Sequence, residues 1–99
     1  MAETSYTSGM ISTIDPLTDD LTIITFEKAP EPPKEMELNM VPFYGTIGQK
    51  YIGKMAEIIS QIKDNVYYQR ISTSDESVSI EMPLEKMKTL ERLVRKKRE

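Results

Sequence analysis

The chain has 99 residues, 38% of them hydrophobic, a formal net charge of −3, and neither cysteine nor histidine. That is material for one small core, and it excludes disulfides, thiolate chemistry and zinc or haem sites that need those two ligands. The side chains that most readily act as nucleophile and general base near neutrality are missing as well.

Residues 1–5 read as a loose N-terminus. Met10-Ile11-Ser12-Thr13-Ile14 is β-prone, and Asp15 to Asp20 is rich in turn formers. Leu21 to Phe26 is the clearest strand, with Leu21 and Ile23 on one face and Ile24 and Phe26 on the other, as expected inside a sheet. These two segments predict an antiparallel hairpin. The Asp19-Asp20 pair has the chemistry to chelate a hard cation, but acids in a turn face water by default and no metal is expected. Ala29-Pro30-Glu31-Pro32-Pro33 is an extended connector. From Glu35 to Phe43, Glu35, Glu37 and Asn39 alternate with Met36, Leu38 and Met40, which predicts a half-buried strand whose Pro42 lies near an edge.

Ile47, Tyr51, Met55, Ile58 and Ile62 recur at helical spacing, with Lys50, Lys54, Glu57 and Gln61 opposite. The pattern predicts one long amphipathic helix over 47–63, with Gly53 in its polar arc. Gly45-Thr46-Ile47-Gly48 leads into it, so Gly45, Thr46 and Gly48 are a candidate anion site at a helix N-terminus. The simpler reading makes Thr46 a cap and the glycines turn and packing residues.

Asn65 to Ile71 and Ser77 to Met82 predict a second hairpin around Thr73-Ser74-Asp75-Glu76. On its first strand, Tyr68 and Arg70 share a face that could stack on bases, while Tyr67 points the other way. Pro83 opens a second helix that runs to about Lys97, with an apolar stripe of Leu84, Met87, Leu90 and Val94 and with Leu93 at its border. Residues 96–99 read as a frayed basic tail. The order β-β-β-α-β-β-α predicts a single α+β domain over residues 1–99. Its small, mainly antiparallel sheet would be covered by the central amphipathic helix and the C-terminal helix.

Charge is unevenly spread. Residues 1–40 carry eight acids and two bases, whereas residues 86–99 carry seven bases and two acids. Lys88, Arg92, Arg95, Lys96 and Lys97 therefore form the candidate surface for nucleic-acid phosphates or an acidic partner. Dipole compensation and a solvated face account for the same residues. No nucleophile–base pair or close carboxylate pair is visible, so no catalytic residue is assigned and neither enzyme activity nor a cofactor is expected. No apolar run nears the roughly eighteen residues of a membrane span, and Met1 to Ser5 shows no signal-peptide pattern. The expectation is a cytoplasmic protein. Scarce asparagine and glutamine, together with prolines in loops, predict heat stability.

Two resemblances follow. From Glu37 onward, the order β-α-β-β-α and the stretch Val41-Pro42 followed by Ile47-Gly48-Gln49-Lys50-Tyr51-Ile52 resemble a KH RNA-binding domain, with Tyr51 standing where that family's loop has its second glycine. In size, composition and lack of histidine and cysteine, the whole chain resembles the small orphan proteins of filamentous viruses of hot-spring archaea, of the lipothrixvirus type. That resemblance implies a heat- and acid-tolerant, dimeric viral protein of the host cell cytoplasm. The reading reached is a homodimeric, non-enzymatic interaction or structural protein. The alternative is a nucleic-acid-binding module acting through the basic face of the last helix.

Overall fold

The structure is a computed structural model that describes residues 3–27 and 38–98. Six strands, β1 (Glu3–Thr18), β2 (Leu21–Glu27), β3 (Leu38–Phe43), β4 (Met55–Lys63), β5 (Val66–Ser72) and β6 (Ser77–Pro83), precede one helix, α1 (Leu84–Arg98). They form one antiparallel sheet in the order β3-β2-β1-β4-β5-β6, curled into a half-barrel.

The central helix expected over residues 47–63 is absent, and with it the sheet covered by two helices. In its place stand a loop, a three-residue 3-10 turn at Gln49–Tyr51, and β4. The reason lies in the segment itself. Ala56 and Ile58 are buried while Glu57 and Ile59 are more open, a period of two that the four-residue spacing of Ile58 and Ile62 also satisfies. β-Branched isoleucines favour the pleated surface. Gly53 adopts a φ of 88°, and Asp64 and Asn65 sit at 53° and 63°, so a helix is interrupted before β4 and a tight hairpin turn follows it. The KH-like order, which needs a helix here, is lost for the same reason.

β1 is the pivot of the sheet. Its residues Glu3 to Met10 pair with β4, and Met10 to Thr18 pair with β2. Glu3 to Ser5, expected to be loose, are thus already paired with Ile62, Gln61 and Ser60. Register shifts between Ile11 and Thr13 and between Pro16 and Thr18 add local twist to this stagger and help to roll the sheet.

Rolling creates two apolar clusters. The first gathers Ile11, Ile14, Ile24, Phe26, Phe43, Tyr51, Ala56, Ile58 and Ile71. The second joins Leu21, Ile23, Tyr44, Tyr67 and Met82 to Met87 and Val94 of α1. β2 therefore feeds one cluster from each face, and Leu21, Ile24 and Phe26 are wholly inaccessible. Burial of each stabilises by about 1.5–3 kcal/mol. The stripe expected on the last helix is the one used, with Leu84 and Leu90 packed beside Met87 and Val94.

Between the clusters lies Gln69 of β5, 2% exposed. Its Oε1 accepts the Tyr44 N–H at 2.8 Å, and its Nε2 donates to the Pro42 carbonyl at 2.8 Å and to Ser60 Oγ at 3.3 Å. The curl brings the free edge of β3 onto β5, and one side-chain amide gives that edge the donor and acceptor a neighbouring strand would have supplied. Pro42 has no N–H to offer on that side. Thr22 Oγ1 donates to the Gly45 carbonyl at 2.7 Å nearby. Among the described residues no buried side-chain nitrogen or oxygen lacks a partner.

Candidate interaction surface

Alternation along the strands turns one set of side chains away from both clusters. The pairing aligns Tyr6, Ile59, Arg70 and Ser79 in one row across β1, β4, β5 and β6, and Thr4, Gln61, Tyr68 and Glu81 in the next. Met10 of β1 lies opposite Met55 of β4 on the same outer face. Tyr6 is 60% exposed, Met55 63%, Met10 42% and Tyr68 38%, so four large apolar side chains share one side of the sheet. A shallow depression of about 280 Å3 runs along Ile59, Tyr68, Arg70 and Ser79. The Tyr6 hydroxyl donates to Glu57 Oε2 at 2.8 Å, which holds the ring against the strand. Lys63 and Arg70 balance Glu57 and Glu81 on this face. Tyrosine, methionine and arginine without a net charge are the composition of a protein-contact surface, whereas a phosphate-tracking groove needs a basic excess.

A second concavity, about 510 Å3, opens between the β3 edge and α1, with Pro42, Tyr44, Ser60, Tyr67, Met87 and Glu91 in its wall. The Tyr44 and Tyr67 rings meet edge to face with centroids 5.2 Å apart. Burial, first of all, raises the pKa of both hydroxyls, and the Glu91 carboxylate adds to it. Both phenols therefore stay neutral near neutral pH.

A third polar cluster ties the 3-10 turn to the β5–β6 hairpin. Tyr51 Oη donates to Glu76 Oε1 at 2.6 Å, Lys50 Nζ lies 2.8 Å from the same oxygen, and Lys54 Nζ lies 3.4 Å from Asp75. Lys50, then Tyr51, hold the Glu76 carboxyl below its usual range. The bond to Glu76, with burial second, pushes Tyr51 up to about 12. These are mutual partners within a brace.

The residues singled out in the sequence are scattered by the fold. Gly45 is buried; a Cβ there would sit 2.8 Å from Ile80 Cγ2 and 3.0 Å from Phe43, so its smallness is a packing requirement. Thr46 and Gly48 are exposed, and the helix whose N-terminus would have held an anion does not exist. Lys88 and Arg92 are exposed on α1 one turn apart. The side chains of Arg95, Lys96 and Lys97 lie outside the described residues. Asp20 faces Lys86 at 3.4 Å, and the described residues contain no group of three or more acids that could hold a metal ion. Tyr67 is buried while Tyr68 and Arg70 are exposed, as alternation requires.

Tyr6, Met10, Met55 and Ile59 had no part in the sequence reading of a site. Tyr6 lies just past the segment expected to be loose, and helical spacing places Met55 and Ile59 on a helix. A period-two reading of residues 55–63 would have found the last two. Comparison with family models, curated proteins and solved structures finds no significant match. No helix among the described residues is long and apolar enough to cross a membrane.

Proposed function

We propose that this protein works by binding and not by catalysis, as a homodimeric interaction or structural protein whose contact surface is the outer face of β1, β4, β5 and β6. The observation that carries this reading is the shared exposure of Tyr6, Met10, Met55 and Tyr68 on one sheet face. Isolated exposed apolar residues need no explanation, but four large ones on a single sheet face favour a contact surface. Balanced charge on that face favours a protein partner over nucleic acid. The concentration of prolines and isoleucines supports a heat-stable protein with a melting midpoint above about 80 °C, consistent with the proposed kinship to proteins of hot-spring archaeal viruses.

Exposed Lys88 and Arg92 support the second reading, a nucleic-acid module on α1. Titration of labelled single-stranded and duplex nucleic acids at low salt separates the two. The protein-binding reading expects no saturable binding. Binding that weakens steeply with salt and is lost in Lys88→Gln/Arg92→Gln would replace it with the second reading. Sedimentation equilibrium at micromolar concentration tests the dimer, and a monomer there would remove it.

A further inference from the structure

The sheet has two lateral edges, and the fold treats them differently. At β3 the outward carbonyl of Pro42 and the outward N–H of Tyr44 are both taken by Gln69. At β6 the backbone parity is set by bonds at both ends of the hairpin. Thr73 N–H donates to the Glu76 carbonyl at 2.8 Å, and Leu84 N–H donates to the Asn65 carbonyl at 2.9 Å. With Ser72 opposite Ser77 and Val66 opposite Pro83, the residues that turn their N–H and C=O groups away from β5 are Ser77, Ser79 and Glu81. Among the described residues nothing accepts from or donates to those groups. The register along β6 has no bulge, and no lysine or internal proline interrupts it. Those are the devices that usually keep an edge from pairing.

We infer that β6 pairs antiparallel with β6 of a second copy, about a two-fold axis at Ser79, so that one sheet runs through both chains. This rests on the homodimer reading above and places the contact between the two copies at the β6 edge, which leaves the outer face of each for a further partner. In this register Ser79 exchanges both backbone bonds with Ser79 of the second copy, and Ser77 exchanges them with Glu81. Half-buried Val78 faces half-buried Ile80 across the axis on the inner side, and each covers apolar surface that the monomer leaves open.

Neighbouring registers are worse for stated reasons. Centring on Val78 sets Glu81 against Asp75. Centring on Ile80 sets Ser77 against Pro83, which has no N–H, and centring on Glu81 opposes two glutamates. Self-complementarity thus selects both the partner and the register. The paired sheet also sets the two outer faces side by side across small Ser77 and Ser79, which makes the contact surface bivalent.

The absence of native cysteine makes the test clean. Under mild oxidation or with a short bis-maleimide linker, Ser79→Cys alone should cross-link to a dimer. Ser77→Cys alone should not, and a mixture of Ser77→Cys with Glu81→Cys should. Ser79→Pro, which removes two outward N–H groups per dimer, should weaken association by about tenfold or more. Ser79→Lys, which opposes two like charges without touching the backbone, guards against a folding defect in the proline variant. If the unmodified chain sediments as a monomer, the homodimer reading falls and this inference with it. If it sediments as a dimer that both Ser79 variants leave intact, or if cross-linking requires Ser77→Cys with Ser79→Cys or Ser79→Cys with Glu81→Cys, the dimer stands and this register is wrong.

Discussion

The β3 and β6 edges solve the same problem in opposite ways. Each presents unpaired backbone groups at the end of a curled sheet. At Pro42 and Tyr44 β3 is closed from within the chain, because the roll of the sheet carries it onto β5, where the Gln69 amide stands in for a strand. β6 lies at the other end of the roll, and α1 continues directly from Pro83 to cover its inner face and not its edge. An antiparallel sheet that curls far enough to hide one edge need not hide the other. The difference shows which edge is structural and which is available.

The largest test of this contrast is Gln69→Leu. It should cost about 2–5 kcal/mol by leaving the Tyr44 N–H and Pro42 carbonyl buried without partners, measured as a lower midpoint in chemical denaturation. Gln69→Glu should be nearly as harmful, because it keeps the acceptor, loses the donor and buries a charge. A loss below about 0.5 kcal/mol would mean that the β3 edge is not closed as described.

Gly45→Ala probes the same corner by overpacking. With Ile80 Cγ2 at 2.8 Å from the new Cβ, the loop after β3 must shift away from β6. The expected cost is about 1–3 kcal/mol, read from the same denaturation curves.

At the open edge the signs reverse. Ser79→Lys should leave unfolding of the isolated chain within about 0.5 kcal/mol of the unmodified protein, while shifting the sedimentation profile toward monomer. A substitution that is silent in stability but strong in assembly is the signature of an edge whose groups face outward.

The brace beside β6 gives a pH signature. Glu76 has a lowered pKa in the fold, so its contribution is present above its ordinary value of 4.5 and is lost as pH falls through the depressed value. Tyr51 has a raised pKa, so its contribution is present below 10 and is lost as pH rises toward about 12. Tyr51→Phe should therefore flatten the alkaline limb of stability against pH and weaken the acid one, as followed by thermal melts across that range. The smallest effect belongs to Lys88→Gln and Arg92→Gln, each within about 0.5 kcal/mol in stability.

Much of the outline was legible locally. β2, the β5–β6 hairpin with its Thr73–Glu76 turn, and the stripe of α1 could be read because each carries its own period and its own punctuation. The opposite facing of Tyr67 and Tyr68 followed from alternation alone. Residues 47–63 carry two signals, because Ile47, Tyr51, Met55, Ile58 and Ile62 satisfy a helical spacing, while the two-residue alternation from Ala56 onward satisfies a strand. A segment with both periods is decided by its neighbours. β1 and β5 flank β4 and take up its backbone groups on both sides, an advantage invisible in the segment itself.

The outer-face site was only half legible for a related reason. Tyr68 and Arg70 are close in sequence, but Tyr6 joins them only through its partner Ile59, more than fifty residues away, a pairing for which a linear pattern carries no signal. Gln69 is the extreme case. By itself the sequence determined a small, cysteine-free core with two-faced β2, an amphipathic C-terminal helix and turns where chain chemistry demands them, because these follow from composition, periodicity and backbone preference. Only the tertiary structure decided that β4 is a strand, that one glutamine amide closes an edge, and that β6 is left open. Those outcomes depend on which backbone groups meet after the sheet has rolled, and that geometry exists only once distant segments are in register.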